Sequence, residues 1–182
     1  MDKIKPRIIT GKYKGKRLKV SEDSRPLTDR VKTMIFDLIG DSIENITILD
    51  TFAGSGNFGI EALSRGASHA TFIEISDYAF QILKENLADC KVPEEDYKIA
   101  HDNYLRFLRK SDQLFDLIFV DPPFHMSSKV DFKDLKKNLS KNGFIVAKLP
   151  SDFEKYLLKK HFEIIYEKIV GKNSIYFLKP TK

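Results

Sequence analysis

Residues 46–59 read Ile-Thr-Ile-Leu-Asp-Thr-Phe-Ala-Gly-Ser-Gly-Asn-Phe-Gly, and this stretch decides the fold. An apolar run suited to a buried strand enters a glycine-rich turn, and a helical pattern follows the turn. Gly54, Gly56 and Gly59 have the spacing G-x-G-x-x-G, and Glu74 stands about 20 residues further on, at the end of the next apolar run. The pattern indicates an α/β protein in which a strand, a tight turn and a helix bring the backbone close to an adenosine-containing ligand.

The same alternation of short apolar runs and amphipathic stretches continues to the end of the chain. A first helix is predicted from the cap Thr28 to Gly40, with Val31, Ile35 and Leu38 as its apolar stripe. Strands are predicted at 47–52, 70–74, 97–100, 116–120, 144–149, 163–170 and 174–178. Further helices are predicted at 59–65, 78–91, 104–110, 132–139 and 153–159.

This order of elements predicts a seven-stranded, mostly parallel sheet with helices on both faces. The last two predicted strands are separated by residues 171–173 alone, which suits a hairpin. The last strand is therefore predicted to be antiparallel.

Length and composition set outer bounds on the protein. The chain has 182 residues, of which 42% are hydrophobic and 31% charged, as expected for one globular domain with a core. It has no apolar run of the length that crosses a bilayer, and its four histidines have no zinc-ligand spacing. The single cysteine, Cys90, cannot form an internal disulfide, which favours a reducing cytoplasm. We expect a cytoplasmic protein without a metal, and a monomer by default.

The positive charge of the chain is concentrated near its start. Residues 1–21 carry eight Lys or Arg and one acid, a net charge of +7 in a chain whose total is +5. Apolar residues and two glycines alternate with these charges, which predicts a basic β-hairpin rather than a solvated tail. We therefore divide the chain into a hairpin extension, residues 1–24, and a main domain, residues 25–182. A basic patch of this kind suits a polyanion such as a nucleic acid.

Asp50, directly before the glycine turn, favours S-adenosylmethionine over a dinucleotide, because a carboxylate suits a cationic sulfonium better than a pyrophosphate. The alternative for Asp50 is a structural cap of the turn. Asp102 could bind an adenine amino group or cap the helix at 104–110, or do both. The predicted cofactor-binding residues are Asp50, Phe52, Ala53, Gly54, Ser55, Gly56, Gly59, Glu74, Asp102 and Asn103.

The fourth predicted strand ends in Asp121-Pro122-Pro123-Phe124, a rigid turn that we predict to be catalytic. The Asp121 carboxylate and the Pro122 carbonyl are acceptors that can hold the two hydrogens of an exocyclic amine on a base. They also stabilise the positive charge that develops on its nitrogen during attack on a methyl group. Phe124 can stack on an extruded base. The alternative is a proline turn that merely ends a strand, with Phe124 in the core.

These residues, in this order, resemble the RsmD-type methyltransferases, which modify a guanine N2 in bacterial small-subunit ribosomal RNA. The resemblance covers almost the whole chain. It rests on Arg7-Ile8-Ile9, Gly11, Gly15, Arg25-Pro26, residues 28–31, Asp50, residues 52–56, residues 59–67, Glu74 and residues 121–124. Leu27, Lys148 and Val170 depart from the family's usual threonine, acid and tyrosine, and the resemblance places all three at the rim of the substrate site.

The resemblance implies a Rossmann-like class I methyltransferase fold with a small N-terminal β-hairpin. It also implies S-adenosylmethionine as methyl donor and ribosomal RNA of the small subunit, or its assembly intermediate, as substrate. The residues predicted to contact RNA are Arg7, Lys12, Lys14, Lys16, Arg17, Arg25 and Arg30.

Three other functions are compatible with parts of the sequence. An adenine-N6 methyltransferase acting on DNA or RNA would use the same turn, because that turn suits any exocyclic amine. A nicotinamide-dependent oxidoreductase would share the glycine loop, but it leaves the basic segment and the double-proline turn without a role. An RNA-binding module without activity would keep the fold alone.

Overall fold

A seven-stranded sheet forms the centre of the protein. The computed structural model describes residues 5–21 and 27–181, so the predicted RNA contact Arg25 lies outside the described residues. The strands are β1 Thr47–Asp50, β2 His69–Glu74, β3 Tyr97–His101, β4 Phe115–Val120, β5 Leu139–Pro150, β6 Phe162–Val170 and β7 Asn173–Pro180. The α-helices are α1 Asp29–Ile39, α2 Asn57–Ser64, α3 Asp77–Cys90, α4 Tyr104–Lys110, α5 Phe132–Lys137 and α6 Tyr156–Lys159.

The strand order is β3-β2-β1-β4-β5-β7-β6, which reverses direction between β1 and β4. The pairs from β3 to β5 are parallel, and β7 lies antiparallel to both β5 and β6. The predicted Rossmann-like architecture, with one antiparallel strand, is confirmed. In open sheets of this kind, ligands bind at the carboxyl ends of the strands, where the strand order reverses.

Neighbouring residues of β1 pack on opposite faces of the sheet. Ile48 belongs to a hydrophobic cluster with the residues of α1, α2 and α3, and Leu49 belongs to a cluster with α4 and α5. Both side chains are fully buried. The continuous apolar run of this strand is therefore explained by burial on both faces, as in other parallel sheets.

Helix α1 begins at the predicted cap, Thr28, whose hydroxyl accepts a hydrogen bond from the N–H of Val31. The predicted apolar stripe is wrong at Leu38, which is 46% exposed. A lysine, Lys32, lies on the buried face instead, with no exposed surface. Its ammonium lies 3.0 Å from a carboxylate oxygen of Glu61 and 2.8 Å from the amide oxygen of Asn57, both on α2. Burial lowers the pKa of Lys32, and the negative charge of Glu61 opposes that shift.

The helix predicted at 132–139 ends earlier, at Lys137, and β5 begins earlier than predicted. Asn138 is the reason, because its side-chain amide donates to the carbonyls of Ser111 and Gln113. Its own carbonyl accepts from Phe115 N at the start of β4. These long-range bonds end the helix and start the strand. The helix predicted at 153–159 is also shorter than predicted, and α6 covers only its last four residues.

The basic segment near the start of the chain packs against α2. Its two arms meet in one antiparallel bridge, between Arg7 and Arg17, rather than in two paired strands. The side chains of Ile8, Tyr13 and Leu18 are buried in the same cluster as the sheet. The predicted boundary near residue 24 falls outside the described residues, so the division into two domains stays a prediction.

Backbone N–H groups that a longer hairpin would pair internally bond to α2 instead. Those of Ile9 and Thr10 donate to the Glu61 carboxylate, and that of Lys12 donates to the carbonyl of Ser64. Gly11 lies between them at φ +86°, where an added Cβ would come within 1.6 Å of the Ser64 carbonyl oxygen. The loop therefore approaches α2 as closely as a glycine permits.

We expect Gly11→Ala to lower the free energy of unfolding much more than Gly15→Ala does. Gly15 has nearly the same φ, +85°, but open space around it, so it serves as a matched control for backbone strain alone. That strain costs roughly 1–2 kcal/mol. Urea denaturation measures both variants. Equal losses would contradict the close docking of the segment on α2.

Candidate active site

A cavity of about 920 Å³ opens at the carboxyl ends of β1, β2, β4 and β5. The turn after β1 forms one wall, and residues 121–124 form another. Thr28 and Val31 at the start of α1 and Lys172 in the β6–β7 turn lie at its rim. The sequence predicted the two walls, but the rim from the β6–β7 turn had no recognisable motif.

Backbone contacts fix the shape of the glycine turn. Gly54 and Gly56 both adopt positive φ, 53° and 79°, a conformation that suits glycine. The N–H of Gly54 donates to a carboxylate oxygen of Glu74 over 2.8 Å. The side-chain amide of Asn86 donates to the carbonyl of Ser55 and to that of Lys19, over 2.8 and 2.9 Å. One buried side chain therefore connects the turn to the basic segment.

Asp50 and Gly59 contact each other below the turn and do not line the cavity. The Gly59 N–H donates to the Asp50 carboxylate over 3.3 Å, as the alternative of a structural cap implied. A Cβ on Gly59 would lie 2.1 Å from the ring of Phe72, so this glycine lets α2 pack on the sheet. Burial raises the pKa of Asp50 to about 7, and the charges of Asp121 and Glu74 add to that rise.

The other predicted cofactor residues, except Gly56, line the cavity. Phe52 packs on the ring of Tyr104 with a centroid distance of 4.8 Å, and Ala53 lies beside it. Both carboxylate oxygens of Glu74 accept backbone N–H groups, from Gly54 and from Ser76. Each oxygen has a second lone pair with which it could accept a ribose hydroxyl.

Asp102 and Asn103 line the cavity in the connection between β3 and α4. The side chain of Asn103, rather than that of Asp102, caps α4, because its oxygen accepts from the N–H groups of Leu105 and Arg106. The predicted cap at Asp102 is therefore wrong. The Asp102 carboxylate instead pairs with the guanidinium of Arg106 and accepts from the N–H of Asn103.

The turn after β4 presents two acceptors to the cavity. Asp121 Oδ1 lies 2.6 Å from the ammonium of Lys148 on β5, and its Oδ2 has no hydrogen-bond partner among residues 5–21 and 27–181. The Pro122 carbonyl also has no hydrogen-bond partner among the described residues. The Pro123 carbonyl, in contrast, accepts a hydrogen bond from Met126 N over 2.8 Å. Burial raises the pKa of Asp121, and the charge of Lys148 opposes that shift.

Phe124 lies at the lip of the cavity and is 75% exposed. The alternative that this ring belongs to the core is therefore wrong. An aromatic ring that is exposed beside unpartnered acceptors is available to stack on a planar ligand. Lys148, in contrast, was expected at the rim of the substrate site only as a departure from the family, and it lines the cavity. No local motif indicated that it would contact Asp121, because the contact depends on the pairing of β4 with β5.

Four of the predicted RNA contacts form an exposed basic surface, which we call the basic loop: Lys12, Lys14, Lys16 and Arg17. None of these four side chains has an acidic partner among the described residues. Arg7 is paired with Asp29 over 2.7 Å, and Arg30 is exposed on the first turn of α1. The basic loop thus keeps its positive charge available for a ligand.

In residues 5–21 and 27–181, no helix is long and apolar enough to cross a membrane. The same residues contain no group of three or more His, Cys, Asp or Glu side chains that could hold a metal ion.

The chain is similar to proteins of known family over nearly its full length. A family model described as "Conserved hypothetical protein 95" matches residues 6–179. The Ribosomal RNA small subunit methyltransferase D of Buchnera aphidicola is 31% identical over 175 residues, which cover 93% of this chain and 90% of that protein. The protein of the same name from Haemophilus influenzae is 41% identical over 125 residues, 66% of this chain and 65% of that protein.

The fold has the same relatives. The solved structure of yhhF from Escherichia coli superposes with a TM-score of 0.84 at 31% identity, and the match covers 97% of this chain and 98% of that one. The sheet, the cavity and the sequence matches therefore agree. The chain belongs to the conserved hypothetical protein 95 family, the family of the RsmD-type ribosomal RNA small subunit methyltransferases.

Proposed function

We propose that this protein transfers the methyl group of S-adenosylmethionine to the exocyclic N2 amine of a guanine in small-subunit (16S) ribosomal RNA. The observation that carries the proposal is a pair of acceptors in the cavity wall, Asp121 Oδ2 and the Pro122 carbonyl, neither of which has a hydrogen-bond partner among the described residues; the glycine turn forms another wall. Relatives named Ribosomal RNA small subunit methyltransferase D match the chain at 31–41% identity. A substrate of this kind is found in the cytoplasm.

The residues present fit S-adenosylmethionine. Glu74 stands at the end of β2 with acceptor capacity for ribose hydroxyls, and Asp102 lies nearby on the same wall. The carboxylates of Asp50, Glu74 and Asp121 give this part of the site the negative charge that a sulfonium needs. When bound, the cofactor would supply an electrophilic methyl group on sulfur.

The chain's own residues then act on the base. The amine of guanine is a poor nucleophile, because its lone pair is delocalised into the ring. Asp121 and the Pro122 carbonyl would each accept a hydrogen bond from one N–H of the amine. These two bonds orient the lone pair and stabilise the positive charge that grows on nitrogen. Phe124 would stack on the base at the lip of the cavity. The basic loop would bind phosphates of the surrounding RNA.

Asp121→Ala is expected to lower kcat for methyl transfer by about a hundredfold or more, because it removes a preorganised partner of the developing charge. Binding of S-adenosylmethionine, measured by calorimetry, should stay close to that of the unmodified protein. Asp112→Ala, an exposed carboxylate near the other end of β4, is the matched control and should leave kcat unchanged. Retained turnover in Asp121→Ala would contradict the mechanism.

The pKa of Asp50 makes cofactor binding depend on pH. The carboxyl is largely protonated below a pH of about 7 and must ionise to attract a cation. We therefore expect the Kd for S-adenosylmethionine to fall as the pH rises through about 7, by at most about tenfold per unit. Asp50→Asn should flatten this dependence.

S-adenosylhomocysteine, which lacks the sulfonium charge, is the control ligand and should show a weaker dependence. Calorimetry in buffers of different ionisation enthalpy would detect the proton released on binding. Equal proton release for both ligands would show that the ionisation of Asp50 on binding does not depend on the positive charge of the sulfur.

Neutralising the basic loop, by replacing Lys12, Lys14, Lys16 and Arg17 with Gln, should weaken RNA binding and reduce its salt dependence. Each lost phosphate contact lowers the slope of log K against log salt by about 0.7–0.9. The matched control replaces Lys110, Lys133, Lys137 and Lys141, exposed lysines of α4, α5 and β5, and should leave the slope unchanged. Identical slopes in the two variants would remove the basic loop from the RNA interface.

The reaction itself is tested by transfer of radiolabelled methyl groups to small ribosomal subunits, their assembly intermediates and DNA, all from cells that lack the protein. Nucleoside analysis of the product should show N2-methylguanosine in small-subunit RNA. N6-methyladenosine would establish the alternative, an adenine-N6 methyltransferase, because the same two acceptors suit that amine. Label in none of these acceptors would contradict the substrate assignment.

A further inference from the structure

Lys148 lies in the wall of the cavity beside the proposed catalytic carboxylate. Val120 of β4 pairs with Ala147 of β5, so the two residues that follow, Asp121 and Lys148, meet at the edge of the sheet. Their side chains form an ion pair of 2.6 Å and are 23% and 17% exposed, respectively. Asp121 is the single hydrogen-bond partner of the Lys148 ammonium in residues 5–21 and 27–181. Two of its three N–H donors are therefore available to a ligand.

An ammonium at this position works against the reaction if its only role is to pair with Asp121. Positive charge grows on the attacking nitrogen, and a cation that neutralises Asp121 reduces the stabilisation that the carboxylate can give. Side chains that hold a carboxylate in place can do so without a charge, as Ser140 does for Asp116 on the same strand pair, over 2.7 Å. The charge of Lys148 is thus better explained by a contact with the substrate.

The pair offers a row of hydrogen-bonding groups that matches one base. Oδ2 and Oδ1 of Asp121 are two acceptors, and the ammonium beside Oδ1 is a donor. The Watson–Crick edge of guanine has the complementary order, namely the N2 and N1 donors followed by the O6 acceptor. Adenine offers its N6 donor beside the N1 acceptor, which would face a carboxylate oxygen. Enzymes that extrude a base commonly read it by this edge.

We propose that Lys148, which stands where relatives usually carry an acid, strengthens the selection of guanine in this protein by donating a hydrogen bond to O6, while Asp121 accepts hydrogen bonds from N1–H and N2–H. The Pro122 carbonyl accepts the second hydrogen of the amine. This inference rests on the proposed function and adds the base-reading group to it. Lys148 thereby has a role distinct from that of Asp121, since it contacts a part of the base that does not react.

The test compares guanine with 2-aminopurine, which keeps the reactive amine but lacks both O6 and the N1 hydrogen. Once nucleoside analysis has located the methylated guanosine, small-subunit RNA is ligated from segments that carry either base at that position. We then measure kcat/KM for the unmodified protein, Lys148→Met and Lys148→Gln. The side chain of Met has a similar length without a donor, and that of Gln keeps two N–H donors without the charge.

The unmodified protein should prefer guanine, and Lys148→Met should lower kcat/KM for guanine by about tenfold or more, the usual effect of losing a hydrogen bond to a charged group. The rate with 2-aminopurine should change much less, so the preference for guanine should shrink. Lys148→Gln should give an intermediate preference. Thermal unfolding and cofactor binding confirm that the compared variants are folded.

Equal loss with both bases would show that Lys148 only positions Asp121, and it would overturn this inference while leaving the proposed function intact. An unchanged preference in both variants would overturn it as well. If the unmodified protein labels adenine and no guanine, the proposed function fails first, and the role of Lys148 in selecting guanine fails with it. If only one variant folds, its preference relative to that of the unmodified protein decides the question.

Discussion

The buried carboxylate of Glu61 connects three parts of the structure that are far apart in the sequence. It accepts hydrogen bonds from the backbone of Ile9 and Thr10, and it forms ion pairs with Lys32 of α1 and with Arg65, the residue that follows α2. Glu61 and Lys32 have no exposed surface, so removing either side chain would leave a buried charge with fewer partners. The first turn of α2 follows the glycine turn directly. The position of that turn therefore depends on contacts made to α2 by residues from the start of the chain.

A second constraint is the distribution of charge around the cavity. Asp50, Glu74 and Asp121 lie at the ends of three neighbouring strands, and the charges of Glu74 and Asp121 add to the rise in the pKa of Asp50. Such a group is stable when a cation compensates it, which is a property of the proposed cofactor and also of Lys148. The site combines these acids with the basic loop outside it. A cationic small molecule and a polyanion can thus bind the same protein at separate surfaces.

The sheet was predictable from the sequence because its strands appear as short apolar runs, such as the one that enters the glycine turn at residues 46–59. The alternation of these runs with helical patterns limits the possible topologies. The walls of the cavity followed from two motifs, the glycine turn and Asp121-Pro122-Pro123-Phe124. Local patterns could not show that Lys32 is buried, because its neighbours in the apolar stripe gave no sign of a carboxylate on another helix. Asn138, which ends α5 through bonds to Ser111 and Gln113, was missed for the same reason. Side-chain contacts across long sequence distances are what the sequence left undetermined.

The docking of the basic segment has a consequence for the order in which the protein folds during synthesis. The partners of its backbone come later in the chain. The N–H of Ile9 bonds to Glu61, 52 residues further on, and the N–H of Lys19 bonds to Asn86, 67 residues further on. The segment leaves the ribosome before these partners, and it cannot reach its final position until most of α3 has followed. During that interval its seven excess positive charges are free beside the ribosome's own RNA. The docked segment and the glycine turn therefore share one requirement, because Asn86 donates a hydrogen bond to each of them.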